Sequence, residues 1–452
     1  MRRIVIIAIA LGLCGRALLA EEQKTLAECI RIALANHPSL KAASASVDAG
    51  HQRVREAAAN YLPTVSGQYL FDRSNQGAGS RLGVSTSAGE IVTTPVPNPT
   101  PGGTPIVPRG SVGNPALNFS KATIGFTQIL FDFGQTLNSI RQAQALQQSL
   151  EAQRSTQVDT VVLNVKQSYF NVLAARRLLV VADETVRQNQ KHLEQAQGRF
   201  SVGLAAKFDV TQAQVQLAQA ELNQVTARNN VAVAYQTLRN ALGLTNPLDF
   251  DIVDNFDVRT MQVTEEHSLA AAYEKRPELQ DIQAQERATS EQIAATQKNY
   301  LPNLTGNGTY GWTGSNSPQQ SYWLLGATLN VPIFTGGLTT AQVGEQEANL
   351  ANLKFNEEVL RQNIALEVRQ DVLNLQQSEQ SIEVSKKGLQ QARENLDLAE
   401  GRYKTGVGNI IELTDAQASL TTAEANYVQA LYNYKTTVAA LEKATAQGLA
   451  SD

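Results

Sequence analysis

The chain has 452 residues and a formal net charge of −4. That length holds two or three ordinary domains, and the near-balanced charge offers no basic field for nucleic acid. Aromatic residues make up only 6% of the sequence, too few for a thick globular core.

Residues 1–20 read as a secretion signal. Arg2-Arg3 precede an apolar run, Ile4 to Leu13, and small-residue processing is expected after Ala20. The run is too short to cross a bilayer, and no later stretch is long and apolar enough for a transmembrane helix. Cleavage would leave Cys29 as a lone cysteine, which excludes an internal disulfide. Cys29 lies at an apolar position of a short helical pattern and reads as a small buried hydrophobe. Lipidation of Cys14 is the alternative, disfavoured by the bulky Leu13 before it.

The rest of the chain is written twice. Residues 123–242 and 326–445 align without a gap, so that Phe131 falls on Phe334, Gly134 on Gly337, Arg199 on Arg402, Gly203 on Gly406 and Leu238 on Leu441. A second block sets Pro38 on Pro277 and Asn60-Tyr61-Leu62-Pro63 on Asn299-Tyr300-Leu301-Pro302. The first copy carries an insertion between Gly67 and Phe131. One fold unit used twice is expected: a first repeat over 21–242, a linker over 243–263, a second repeat over 264–446 and a tail over 447–452.

In chain order, the first repeat opens with a strand at about 64–72, where Val65, Gly67, Tyr69 and Phe71 alternate with polar residues. Loop 73–118 follows, rich in Gly, Ser and Thr and holding half of the 14 prolines. A second strand at about 119–131 carries Gln128 on its apolar face. The span 134–242 has no proline and reads as a helical hairpin. The second repeat gives strands at about 303–313 and 321–332, with Tyr310, Trp312 and Trp323 near their ends, and a hairpin at about 337–446. Such alternation fits a lipid-facing strand or a half-buried soluble one, and the pattern by itself leaves both open.

The hairpins carry heptad seams. Leu375, Ile382, Leu389 and Leu396 form one, and Leu413, Leu420, Tyr427, Tyr434 and Leu441 another. The first copy repeats this with Val172, Leu179, Val186 and Leu193, then Leu217, Val231 and Leu238. A sustained heptad period means supercoiled helices. Ser201-Val202-Gly203-Leu204 and Thr405-Gly406-Val407-Gly408 interrupt the seams, and their glycines are expected to end one helix and start its return. The long arm from Gln135, about 65 residues, would run roughly 98 Å at ~1.5 Å per residue.

Strands that cross lipid must close into a barrel, because open edges leave backbone groups unsatisfied. Four strands are too few, about eight being the usual minimum, so several chains would have to share one barrel.

No catalytic motif is present. His37, His51, His192 and His267 are far apart and read as surface histidines. Gly306-Asn307-Gly308-Thr309-Tyr310-Gly311 matches a dinucleotide fingerprint in letters, but it lies inside a strand pattern and opens no helix. No enzyme activity, metal or cofactor is expected.

A duplicated strand–strand–hairpin chain behind a signal peptide resembles the TolC-type outer-membrane efflux proteins. The resemblance spans nearly all of the mature chain. It is carried by Leu26–Pro38 and its copy Leu269–Pro277, the paired Tyr-Leu-Pro, Gln128-Ile-Leu-Phe-Asp-Phe-Gly and Asn330-Val-Pro-Ile-Phe-Thr-Gly-Gly, and the turns Arg199-Phe-Ser-Val-Gly and Arg402-Tyr-Lys-Thr-Gly. It implies a mainly α fold with membrane β: a homotrimer with one 12-stranded β-barrel continued by a 12-helix α-barrel. Helices Leu26–Asn36 and Ser268–Lys275, with Thr245–Val263 and the C-terminus, would form a belt around it. The partners implied are outer-membrane lipid, a periplasmic adaptor and an inner-membrane pump of RND, ABC or MFS class.

The same resemblance implies site residues. Val202, Gly203, Leu204, Gly406 and Val407 match the adaptor-docking tip. Glu412 and Asp415 match the acidic ring of the pore constriction, and their spacing puts both on one helix face. Asp209 and Tyr403 match a link that closes the aperture. A second link departs from the family pattern, with Gly408 at its arginine position and Phe208 at its threonine position, so this chain is expected either to open more readily or to close by apolar contact at Phe208.

The sequence thus reads as an outer-membrane exit duct with a periplasmic helical extension, passing cargo passively from a pump and adaptor to the exterior. A soluble periplasmic coiled-coil scaffold or adaptor is the alternative. A barrel-anchored enzyme is the third class and lacks a catalytic cluster.

Overall fold

The computed structural model describes residues 23–74, 117–246, 250–254 and 263–447. The expected signal segment 1–20, nearly all of loop 73–118, parts of linker 243–263 and most of the tail lie outside the described residues. The elements in chain order are β1 (Gln23–Lys24), α1 (Leu26–Asn36), α2 (Pro38–Ala59), β2 (Thr64–Ser74), β3 (Leu117–Phe131), α3 (Gln135–Ser201), α4 (Lys207–Ala241) and β4 (Asp251–Ile252). Then follow α5 (Glu265–Lys275), α6 (Pro277–Gln297), a 3₁₀ turn (Lys298–Tyr300), β5 (Asn303–Gly314), β6 (Gln320–Asn330), α7 (Leu338–Thr405) and α8 (Ile410–Thr445). The chain forms two compact units, and each takes segments from both sequence repeats.

One unit (residues 52–143 and 289–348) is built on a four-stranded sheet of order β2-β3-β5-β6, antiparallel throughout. Its register sorts the side chains. Val65 pairs with Phe126, Tyr69 with Ala122, Ile124 with Tyr310, Tyr310 with Trp323 and Leu304 with Leu329. Paired residues share a face, so these apolar side chains form one surface. That surface is uncovered in the chain, with Trp323 76% and Val65 70% exposed. The opposite face carries Thr64, Ser66, Gln68, Thr123, Asn307, Thr309, Thr328 and Asn330, with Leu70, Phe119, Ile129, Tyr322 and Leu324 as exceptions.

Gln128, the polar residue on the apolar face, donates from its side-chain amide to the Tyr61 carbonyl at 3.2 Å. The G-x-G-x-x-G letters fall inside β5. A Cβ on Gly308 would lie 2.2 Å from the Phe126 ring, so this glycine lets an aromatic ring cross the strand. Strand β6 stops at Asn330 rather than at 332, since Pro332 has no N–H for the ladder.

Between strand and helix, Asp132 caps α3. Its Oδ1 accepts from Gly134 N–H at 3.0 Å and its Oδ2 from Thr136 N–H at 2.8 Å. Phe133 adopts φ 53°, where the second repeat has Gly336 at φ 63°.

The other unit holds the bulk of the helices. Its core gathers Val161, Val165, Tyr169, Leu173, Leu238, Leu279, Ile364, Val368, Leu375, Leu431 and Leu441. Cys29 lies in this core, fully buried, and burial pushes its thiol up to about 11. The Thr25 capping box starts α1, and α5 begins at Glu265 rather than at Ser268. Strands β1 and β4 pair in parallel and tie residues 23–24 to residues 251–252.

The two hairpins are packed unequally. In the second, Leu375, Ile382, Leu389 and Leu396 are all buried, as are Leu413, Leu420, Tyr434 and Leu441. In the first, Val172 and Leu238 are buried, but nearer the turn small and polar residues take the buried positions: Ala213 and Ala220 on α4, and Asn189, His192 and Ala196 on α3. His192 is therefore not a surface histidine. It lies at a helix position turned inward toward Gln417, and burial holds its pKa below the usual histidine value.

Candidate functional site

The residues singled out by sequence collect at the two turns that close the hairpins. Both turns are built alike. Gly203 has φ +77°, its N–H bonds the Phe200 carbonyl at 3.0 Å, and the Leu204 N–H bonds that of Arg199 at 2.8 Å. Gly406 has φ +80°, with Gly406 N–H to Tyr403 at 3.1 Å and Val407 N–H to Arg402 at 3.0 Å. These are paired Schellman closures, which need a left-handed residue at the glycine. They leave Val202, Leu204 and Val407 projecting, each at least 68% exposed. Phe208 is also exposed and belongs to neither apolar cluster among the described residues.

Glu412 and Asp415 both lie on the exposed side of the first turns of α8, whose inner side is Ile410, Leu413 and Ala416. They are not equivalent. The Arg402 Nε donates to Glu412 Oε2 at 3.2 Å, whereas the Asp415 carboxylate has no ion pair among the described residues. Gly408 explains the pairing. A Cβ there would meet Arg402 Cβ at 3.0 Å and Glu412 Oε2 at 3.2 Å, so glycine leaves the space this pair fills. Asn409 caps α8 by accepting the Glu412 N–H at 2.8 Å.

Asp209 and Tyr403 come near one another without bonding. The Tyr403 side chain is 2% exposed and its hydroxyl has no hydrogen-bond partner. Burial, and then the Asp209 charge, push the Tyr403 hydroxyl above its usual range, with Arg199 opposing. Arg199 was legible only as part of a turn motif. In the structure it reaches from α3 to α7, donating to the Tyr403 carbonyl at 2.6 Å and lying over the Tyr403 ring at 5.0 Å. The cue available in sequence was its repeat partner, Arg402, which also spends its guanidinium at the tip.

Among the described residues no group of three His, Cys, Asp or Glu side chains is placed to hold a metal, and no helix is long and apolar enough to cross a membrane. What remains is a strand sheet with an uncovered apolar face and two long hairpins ending in exposed turns. That combination is what the resemblance to outer-membrane efflux proteins implies.

The comparisons agree. The family model for outer membrane efflux proteins matches residues 29–244 and 269–447. The outer membrane protein TolC of Escherichia coli (strain K12) is 27% identical over 96% of this chain and 84% of its own length. The crystal structure of CusC superposes with TM-score 0.77 at 18% identity, covering 95% of this chain and 93% of that one. The CmeC outer membrane channel of Campylobacter jejuni gives 0.76 at 16% identity, over 93% and 85%. The chain belongs to the outer membrane efflux protein family and is an outer-membrane exit channel for efflux.

Proposed function

We propose that three copies of this chain form one continuous duct. The observation that carries this is the sheet: four strands, one apolar uncovered face and two unpaired edge strands, β2 and β6. Four strands cannot close on themselves, and lipid tolerates no open edge. Three copies would supply a 12-stranded barrel with the aromatic face toward lipid and the Thr/Asn face toward the lumen. The hairpins would continue it into the periplasm as a 12-helix tube.

In this reading the exposed tip residues Val202, Gly203, Leu204, Gly406 and Val407 receive a periplasmic adaptor joined to an inner-membrane pump. Glu412 and Asp415 form the acidic ring of the constriction. Asp415 carries most of its field, because Arg402 offsets Glu412. Asp209 and Tyr403 lie at the aperture, which opens when the hairpins shift between two packings. Passage is passive, driven by the pump or a gradient.

The test is planar-bilayer recording on detergent-purified protein, with chemical cross-linking to fix the copy number. Discrete steps from a cross-linked trimer are the expected result. A protein that stays soluble without detergent and gives no steps would sink this reading in favour of a periplasmic scaffold.

A further inference from the structure

Among the described residues, strands β2, β3, β5 and β6 carry three charged side chains, Asp72, Arg73 and Lys121. All three lie at the end of the sheet away from the helices that flank it, and the register sorts them. Arg73 shares the apolar face with Tyr69 and Phe71, whereas Asp72 and Lys121 share the Thr/Asn face. Lys121 is thus the one cation on that face among the described residues. Asp72 pairs with Phe119, one step nearer the rim, and no ion pair joins it to Lys121.

The face changes character around this lysine. Nearer the helices it is made of Thr64, Ser66, Thr127, Asn307 and Thr328. Beside Lys121 stand Leu70, its direct partner on β2, and then Phe119, Tyr322 and Leu324. Leu70, Phe119 and Leu324 are all exposed. The Lys121 ammonium lies over the Tyr322 ring, 5.6 Å from its centroid. The two meet across β5, where Gly311 pairs with Tyr322 and carries no side chain. A Cβ there would lie 2.7 Å from the Ala122 carbonyl oxygen, so the position admits none. The Tyr322 hydroxyl is buried without a partner, so the ring leans along the sheet and holds the ammonium against it. A ring face accepts the charge of an ammonium and leaves its three N–H donors largely free, and no carboxylate takes them here.

We propose that Lys121, held by Tyr322 and flanked by Leu70, Phe119 and Leu324, is a binding site for organic anions with an apolar body, such as aromatic carboxylates. The carboxylate takes the Lys121 donors, and the apolar body lies on the leucines and Phe119. The proposal rests on the exit-duct reading above, in which this face lines the lumen. Three copies then set three such cations at one level, as a collar inside the outer mouth through which acidic cargo leaves.

The test is titration of the detergent-purified full-length protein with naphthoate. Binding is read from the fluorescence of Trp312 and Trp323, the only tryptophans in the chain and both in this sheet. Saturable quenching is expected, with affinity lowered about tenfold in Lys121→Gln by loss of the charge-assisted bond. Lys121→Arg keeps a cation that stacks on the ring and should retain binding. Arg73→Gln removes a cation from the other face and should change nothing. Neutral naphthamide should bind far more weakly than naphthoate, and this comparison needs no variant, so it decides the matter even if Lys121→Gln fails to assemble. Equal affinity in Lys121→Gln, an equal loss in Arg73→Gln, or equal binding of naphthamide would each overturn the proposal. Planar-bilayer recording on the same protein separates the two readings. Steps together with binding that ignores Lys121 would keep the duct and refute the collar. No steps from the unaltered protein would refute the duct, and the collar as a lumenal site with it.

Discussion

Replacing Asp371 by Asn should stabilise the protein at alkaline pH and do nothing at acid pH. Asp371 lies on α7 in a cluster of charges drawn from several helices. Arg276, 4% exposed, follows α5 and donates to Glu367 of α7 at 2.5 Å and to Glu278 of α6 at 3.3 Å. Lys443 of α8 stands 4.0 Å from Glu367. The two cations nearest Asp371 are thus already engaged. Burial, and then the Glu367 charge, raise the Asp371 carboxyl from 3.8 to about 6, with Arg276 and Lys443 only partly offsetting. Asp159 of α3 is raised in the same way, by burial and by Glu278.

The sign follows from linkage. Below about pH 3.8 Asp371 is protonated whether the chain is folded or not, and it costs nothing. As pH rises toward 6 the unfolded chain ionises first, so the native state loses ground. Above about 6 the penalty is full and constant. A shift of roughly two units would be worth about 3 kcal/mol in full, and solvent screening at this partly exposed carboxyl reduces it to about 1–2 kcal/mol. Asn keeps the shape and removes the charge. With unfolding entropy of about 2.1 cal/mol/K per residue, the gain corresponds to a Tm rise of about 1–2 °C. The assay is thermal unfolding followed by far-UV circular dichroism in detergent, at about pH 4 and about pH 8. The reasoning is refuted if the Tm shift is the same at both values, or if Asn lowers Tm at the higher one.

Three further outcomes are expected. Leu325→Lys, on the uncovered apolar face, should cost about 2–4 kcal/mol of membrane stability, and Thr328→Lys on the opposite face far less; the yield of heat-resistant oligomer in outer-membrane fractions separates them. Asp415→Asn should weaken block by a trivalent cation more than Glu412→Gln does, because Glu412 already has Arg402 at 3.2 Å; equal effects in bilayer titrations would contradict the unequal roles. Gly203→Ala meets no neighbouring atom but must hold φ at +77°, so it should cost about 1 kcal/mol, read as a lowered Tm with folding retained.

The secondary structure was legible because its signals are local. Proline-free heptads report helices, aromatic alternation reports strands, and a glycine between seams reports a reversal. The tip could be located in the same way, since Gly203 and Gly406 announce their left-handed turns. The partnerships there were not legible. Arg199 meets Tyr403, and Arg402 meets Glu412, across chain separations that no periodicity encodes.

The sequence by itself determined the duplication, the hairpins and an apolar face along the strands. Those depend on spacing along the chain, where side-chain direction follows from helical or strand period. The tertiary structure alone decided that His192 is buried, that Arg276 sits in a charged cluster which leaves Asp371 unbalanced, and that Gly408 makes room for an ion pair. Each depends on how closely separate helices approach and how much water they exclude, and burial and charge act through that distance.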